Sequence, residues 1–143
     1  PLLLEAKPDR SCSVKTLDSA GALDIRETGQ YWETCAARFL WTRKIPTVAT
    51  NIRSRFGELD LVAIEGPTLI FVEVKYRAPS KFGPSAFAVT GRQQKRIAQT
   101  AALFRSQRSE YCHLHCRFDI IGFDQLGGHV QMTWLKAAFS AIE

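Results

Sequence analysis

The sequence predicts an α/β domain, a mixed β-sheet flanked by helices in the order α-β-β-β-α-β-β. Three observations carry that expectation. A stretch near residue 30 has helical apolar spacing, two adjacent apolar runs are joined by EGPT, and a Thr-x-x-Gln capping box opens a second helical stretch at Thr90. With 143 residues, 45% of them hydrophobic, the chain fits one domain with a sizeable core.

Residues 1–25 mix Pro, Ser, Asp and Lys without sustained periodicity, so they read as an extension of low intrinsic order, and residues 26–143 as the single domain. In TGQYWETCAARFLWTRK the residues Trp32, Cys35, Ala36, Phe39 and Leu40 recur at i, i+3, i+4, i+7, the pattern of an amphipathic helix. Glu33 falls at the edge of that stripe, where a carboxylate faces either solvent or a cleft. Ile45–Ser54 reads as the first strand, and Gly57–Ile64 with Thr68–Tyr76 as a hairpin around EGPT. The second helix runs from Thr90 to about Gln107 with Ile97, Ala101 and Phe104 inward and Arg92, Lys95, Arg96 and Gln99 outward. CRFDIIGF and HVQMTW form two further strands about Gly127-Gly128, and WLKAAF is expected as a short closing helix.

The apolar runs, such as LIFV, are far short of the roughly 20 residues of a membrane span, so no membrane partner is expected. Four irregularly spaced cysteines suggest no disulfide framework and favour a reducing, cytoplasmic setting. The thiols and imidazoles of CHLHC are zinc-type ligands, but neighbours in an extended segment point to opposite faces and cannot converge on one ion. Cys116 reads instead as a small buried residue entering a strand. The net charge is +5, and Lys75 to Arg108 carries eight basic side chains with no Asp or Glu. That one-signed run, with Arg77, Lys81, Arg92, Lys95 and Arg96, points to a nucleic acid.

The hairpin contains a conflict. Pairing Glu65 with Thr68 places Asp60 opposite Glu73 and Glu58 opposite Lys75, and like charges directly across an antiparallel pair are unfavourable. A carboxyl with a strongly raised pKa resolves the conflict, and a hard divalent cation ligated by oxygen resolves it better. Lys75, two residues beyond Glu73 on the same face, would stand beside that ion; a cross-strand ion pair with Glu58 is the competing role.

Leu59-Asp60 followed by Glu73-Val74-Lys75 resembles the PD-(D/E)XK nuclease signature, with Leu in the Pro position. Trp32-Glu33, GELDL, FVEVKYR, AVTGRQQKRI, CRFDIIGF and WLKAAF, taken in order over roughly residues 27–140, resemble the YraN family, which is similar to Holliday-junction resolvases. The resemblance implies a restriction-endonuclease-like core. It also implies Mg²⁺ or Mn²⁺ held by Asp60, Glu73, the Val74 carbonyl and Glu33, with Lys75 as the catalytic lysine. Gln94 falls where some nucleases of that superfamily place a glutamine, and Gln93 where relatives commonly carry a lysine. Asp119 reads as structural, pairing with Arg117 or a helix terminus.

The function expected on these grounds is metal-dependent hydrolysis of DNA phosphodiesters, with structured or branched DNA as substrate. A homodimer suits that substrate, since a symmetric junction presents two scissile strands. Two other readings use the same residues: a non-catalytic nucleic-acid-binding module on the nuclease fold, and a protein-interaction scaffold.

Overall fold

A computed structural model describes residues 2–4, 25–77, 89–126 and 128–140. Among these, the elements are β1 (Leu2–Leu4), α1 (Ile25–Thr42), β2 (Thr47–Ser54), β3 (Gly57–Glu65), β4 (Thr68–Arg77), α2 (Gly91–Ser106), a 3-10 turn at Ser109–Tyr111, β5 (His115–Leu126) and β6 (His129–Phe139). The strands lie in the order β1-β6-β5-β4-β3-β2. Among the described strands only β4 and β5 run parallel, because α2 intervenes between them and a parallel pair needs such a crossover.

The two helices cover opposite faces. On one side Ala36 and Leu40 of α1 pack with Leu61, Ala63, Ile70 and Val72. On the other, Ile97, Ala101 and Phe104 of α2 pack with Val62, Leu69, Phe71 and Phe118. The run Leu69-Ile70-Phe71-Val72 therefore buries every residue, alternately to the two faces, as a strand covered on both sides must. Each such side chain contributes about 1.5–3 kcal/mol by leaving water.

Local chemistry sets the helix ends. Thr90 caps α2 by accepting from the Gln93 N–H at 3.2 Å, while the Gln93 side chain accepts from the Thr90 N–H at 3.2 Å, the reciprocal box foreseen in the sequence. Helix α1 closes with Lys44 in the left-handed region (φ 62°). The Lys44 and Ile45 N–H groups return to the carbonyls of Trp41 and Leu40, both at 2.9 Å, a Schellman arrangement that buries Ile45 behind it.

Three expectations are corrected. WLKAAF continues β6 and is not a helix. The pairing jumps from Ile120 opposite Leu135 to Phe118 opposite Phe139, and Ala137 takes φ 50°. The Ala137 N–H is held by Asp119 Oδ1 at 3.0 Å, so the extra residues form a bulge that breaks the period of two and imitates a helical pattern. Within the stretch read as an irregular extension, Leu2–Leu4 pair with Met132–Trp134 as an edge strand; their backbone covers the edge that β6 would otherwise leave open. Cys116 is exposed, because it lies at the start of β5 on the sheet's margin. Lys81, Cys12 and the rest of the N-terminal stretch to residue 24 lie outside the described residues.

Asp119 is structural, as expected. It accepts from Arg117 Nε at 2.9 Å and from its terminal nitrogen at 3.0 Å, and from the buried Trp134 Nε1 at 3.0 Å. Arg117 also reaches Glu65 at 3.1 Å, so this network ties β3, β5 and β6 together at the far end from Asp60.

Candidate active site

The β3–β4 ladder has the predicted register, from Glu65 opposite Thr68 up to Leu61 opposite Val72, and there it ends. Beyond that point β3 stays with β2 as far as Ser54 opposite Gly57, and β4 stays with β5 as far as Arg77 opposite Asp124. The sheet forks. Asp60 stands on one arm and Glu73, Val74 and Lys75 on the other. The Val74 N–H, which would otherwise lack a ladder partner, donates to Asp60 Oδ2 at 2.8 Å, so the carboxylate bridges the opening. N–H and C=O of one strand residue point to the same side, so the Val74 carbonyl is aimed into the fork as well.

The alternation along β3 also slips at Asp60. Leu59 packs on the α2 side with Val62, while Leu61 packs on the α1 side. The matching irregularity on β2 is Asn51, which stands between the pairs Thr50–Leu61 and Ile52–Leu59 and has φ 50°. Asn is among the few side chains that tolerate this conformation. Its side chain bonds Glu33, and no motif in the sequence singled it out; an Asn breaking a β-branched strand between Thr50 and Ile52 is the signal that could have done so.

Glu33 arrives from α1. Trp32 beside it stacks on Tyr76 (centroids 4.6 Å, planes 11° apart) and lies 4.7 Å from the Phe123 ring, which anchors α1 over the outer end of β4 and β5. Asp60 then becomes the centre of three carboxyl groups, hydrogen-bonded to Glu33 on one side and Glu73 on the other. Burial, followed by the Asp60 charge, pushes Glu33 up to about 7. Burial and the same charge, partly offset by Lys75, push Glu73 up to about 8. Asp60 is also raised by burial, with the Val74 N–H the strongest opposing influence. The three carboxyls titrate as one coupled group, raised above the ordinary carboxylate range chiefly by burial.

Lys75 Nζ lies 3.7 Å from Glu73 Oε1. The expected pairing with Glu58 is not made: Glu58 sits on the other arm of the fork, exposed, 3.5 Å from Arg53 Nε. Separation of the strands removes the register on which that ion pair depended.

The donor set is all oxygen and suits a hard divalent ion. Asp60 and Glu73 supply two carboxylates, Val74 aims a carbonyl between them, and Glu33 approaches from α1. Among the described residues no group of three or more His, Cys, Asp or Glu side chains is already arranged to hold a metal ion. The three carboxyls lie together with raised pKa values, and a cation could take the place of the protons they retain.

The basic residues divide into two sets. Arg92, Lys95 and Arg96 are exposed on α2. Arg77 is tied to the buried Asp124 at 3.1 Å, and Arg105 to the carbonyls of Cys112 and Leu114 at 3.1 and 3.3 Å, so both fasten elements together. The Gln94 amide donates to the Val89 carbonyl at 2.9 Å. Two arginines missed in the sequence join the first set. Ser54 bonds Thr100 at 2.9 Å, which docks the β2–β3 turn on α2 and places Arg53, Arg55, Arg96 and Gln99 around one open groove of about 590 Å³.

Comparison with known proteins follows the same span of chain. The model of the "Uncharacterised protein family UPF0102" matches residues 32–123, from the helix that carries Glu33 to the end of the sheet's aromatic anchor. The chain belongs to that family. Its relatives include a UPF0102 protein of Enterobacter sp. (strain 638), 36% identical over 123 residues, covering 85% of this chain and 91% of the relative. The YraN protein of Escherichia fergusonii is 38% identical over 119 residues, covering 82% and 88%, and that of Escherichia coli (strain K12 / DH10B) matches to the same extent. Family membership and the fold thus agree with the resemblance drawn from the motifs. Among the described residues of this YraN-family chain, no helix is long and apolar enough to cross a membrane.

Proposed function

We propose that this chain is a divalent-cation-dependent nuclease that hydrolyses DNA phosphodiesters, with branched or otherwise structured DNA as its substrate. The observation that carries this reading is the fork: three half-buried carboxyls, each with a raised pKa, and one lysine meet where the sheet opens, an arrangement that costs stability and suits a functional site. Asp60, Glu73 and the Val74 carbonyl would hold the ion, and Glu33 would complete the set from α1. A cation bound there supplies Lewis-acid charge to the scissile phosphoryl oxygens and raises the acidity of a nearby water.

The chain's own groups do the rest. Lys75, half-shielded beside Glu73, presents an ammonium that orients a water or balances charge developing on phosphate. The Val74 N–H fixes Asp60, and Asn51 with the Trp32 stack fixes Glu33, so the carboxylates are held before substrate arrives. Arg92, Lys95 and Arg96, together with Arg53 and Arg55, supply exposed positive charge on the α2 side for the phosphate backbone.

The test is a cleavage panel of single-stranded, duplex, flap and four-way-junction DNA with Mg²⁺ or Mn²⁺, run beside Asp60→Asn. Cleavage of branched substrates that needs the cation and disappears in Asp60→Asn supports the reading. A wild-type protein that binds these DNAs and cuts none is a binding module instead.

A further inference from the structure

A second groove begins at the acid fork and runs away from it on the α1 side. It holds about 510 Å³ and shares Glu33 and Asn51 with the fork. One wall is a stripe of α1, Gln30, Thr34, Ala37 and Trp41; the other is the edge strand β2, with Thr50 and Asn51. Trp41 is 71% exposed, the one large hydrophobic side chain so exposed among the described residues. Placing an indole in water forfeits its burial, and its partner is to be sought along the groove it borders.

We propose that this groove receives an unpaired nucleotide of the strand whose phosphate lies in the fork, with its base stacked on Trp41. The proposal rests on the nuclease reading above and adds the substrate class: DNA with splayed or single-stranded nucleotides next to the cut. Continuity with the phosphodiester site is the first argument, since the same two residues line both. Dimension is the second. Glu33 and Trp41 are eight residues apart on one helix, about 12 Å along its axis, several times the roughly 3.4 Å rise between stacked neighbours on a B-DNA strand. A base on Trp41 is therefore removed by several stacked steps from the phosphate in the fork, or the strand between them is unstacked.

The lining chemistry is the third argument. An aromatic face and the Ala37 methyl accept a base plane, while the hydroxyls and carboxamides of Thr34, Thr50, Gln30 and Asn51 can meet a base edge as donors or acceptors. A second protein chain is a poorer occupant. The neighbouring edge offers no straight strand for addition, because Pro46 precedes β2 and Asn51 kinks it with φ 50°.

The experiment measures affinity for a fluorescent forked oligonucleotide and for a blunt duplex of the same paired sequence. Wild type, Trp41→Ala and Trp41→Phe are compared with Ca²⁺ as the cation. The expected result is a loss of about 5- to 150-fold for the fork in Trp41→Ala, the range that base–aromatic stacking gives on alanine substitution. Little change on the blunt duplex and recovery of most fork affinity in Trp41→Phe complete the pattern. Because Trp41 is exposed, the variant folds, and a melting curve verifies it. Equal affinity of Trp41→Ala and wild type for the fork overturns the groove proposal and leaves the nuclease reading intact. Dissociation of a wild-type dimer in Trp41→Ala, seen by sedimentation without selective loss of fork binding, overturns it in favour of a second copy. Wild-type protein that binds neither DNA overturns both readings.

Discussion

Replacing Glu73 by glutamine keeps its volume and its capacity to hydrogen-bond Asp60 while deleting one charge from the fork. Burial and the Asp60 charge raise Glu73 from the ordinary 4.5 to about 8, so between those pH values the folded chain holds a proton that the unfolded chain has released. With the folded pKa raised, stability is fully present below the unfolded pKa and is lost as pH rises through the folded one. The slope is at most about 1.4 kcal/mol per pH unit. Because Glu73 shares its proton with Asp60, only part of that loss belongs to Glu73. Glu73→Gln is expected to restore about 2–3 kcal/mol near pH 8.5. The opposing loss is small, since Lys75 is partly exposed and such a pair is worth about 0–1 kcal/mol. At about 4 °C per kcal/mol for a chain of this size, Tm in metal-free buffer should rise by roughly 10 °C near pH 8.5. Near pH 5, where Glu73 is already neutral, it should rise by less than about 2 °C. Calorimetric melts of both proteins at the two pH values decide it. A lower Tm for Glu73→Gln at pH 8.5 would show that Glu73 is an ordinary paired anion and would refute the electrostatic account of the fork.

Three further outcomes follow from the same geometry. Lys75→Ala should lower cleavage by about 10²-fold or more with DNA affinity nearly intact, while Glu58→Gln should leave cleavage within a few-fold, because Glu58 pairs with Arg53 and not with Lys75; equal reductions in turnover would reinstate the Glu58–Lys75 pair. Neutralising Arg92, Lys95 and Arg96 together should weaken binding to all DNA sequences and reduce the salt slope by about 0.9 for each phosphate left without its cationic partner, and an unchanged slope would place DNA on another surface. Asp119→Ala should cost about 3–5 kcal/mol in urea denaturation, since it leaves Arg117 with Glu65 alone and the buried Trp134 N–H without its acceptor; a cost under about 1 kcal/mol would mean the network relaxes around water.

The sequence revealed the parts of this site that depend on local pattern. The turn between Glu65 and Thr68 determined the hairpin register, and the register brought Asp60 near Glu73. The capping box marked the start of α2, and the uninterrupted apolar run of β4 marked a strand covered on both faces. What it concealed depends on neighbours distant in the chain. That the ladder would stop at Leu61 and Val72, so that Asp60 meets the Val74 N–H and Glu58 is carried away from Lys75, is a consequence of β3 following β2 while β4 follows β5. The bulge at Ala137 read as a helix because Asp119, far away in sequence, supplies the bond that stabilises it. The pairing of Arg77 with the buried Asp124 was hidden because that partner sits on a strand reached only through the crossover. Asn51 carried no motif beyond its interruption of a β-branched run, and its backbone conformation and its interaction with Glu33 mark it.

The central claim is that the carboxyls of the fork form one divalent-cation site, and titration calorimetry with Mn²⁺ tests it most directly. The account predicts one Mn²⁺ bound per wild-type chain and no measurable binding to Asp60→Asn under the same conditions. Absence of binding to the wild type, or equal binding to Asp60→Asn, would contradict it.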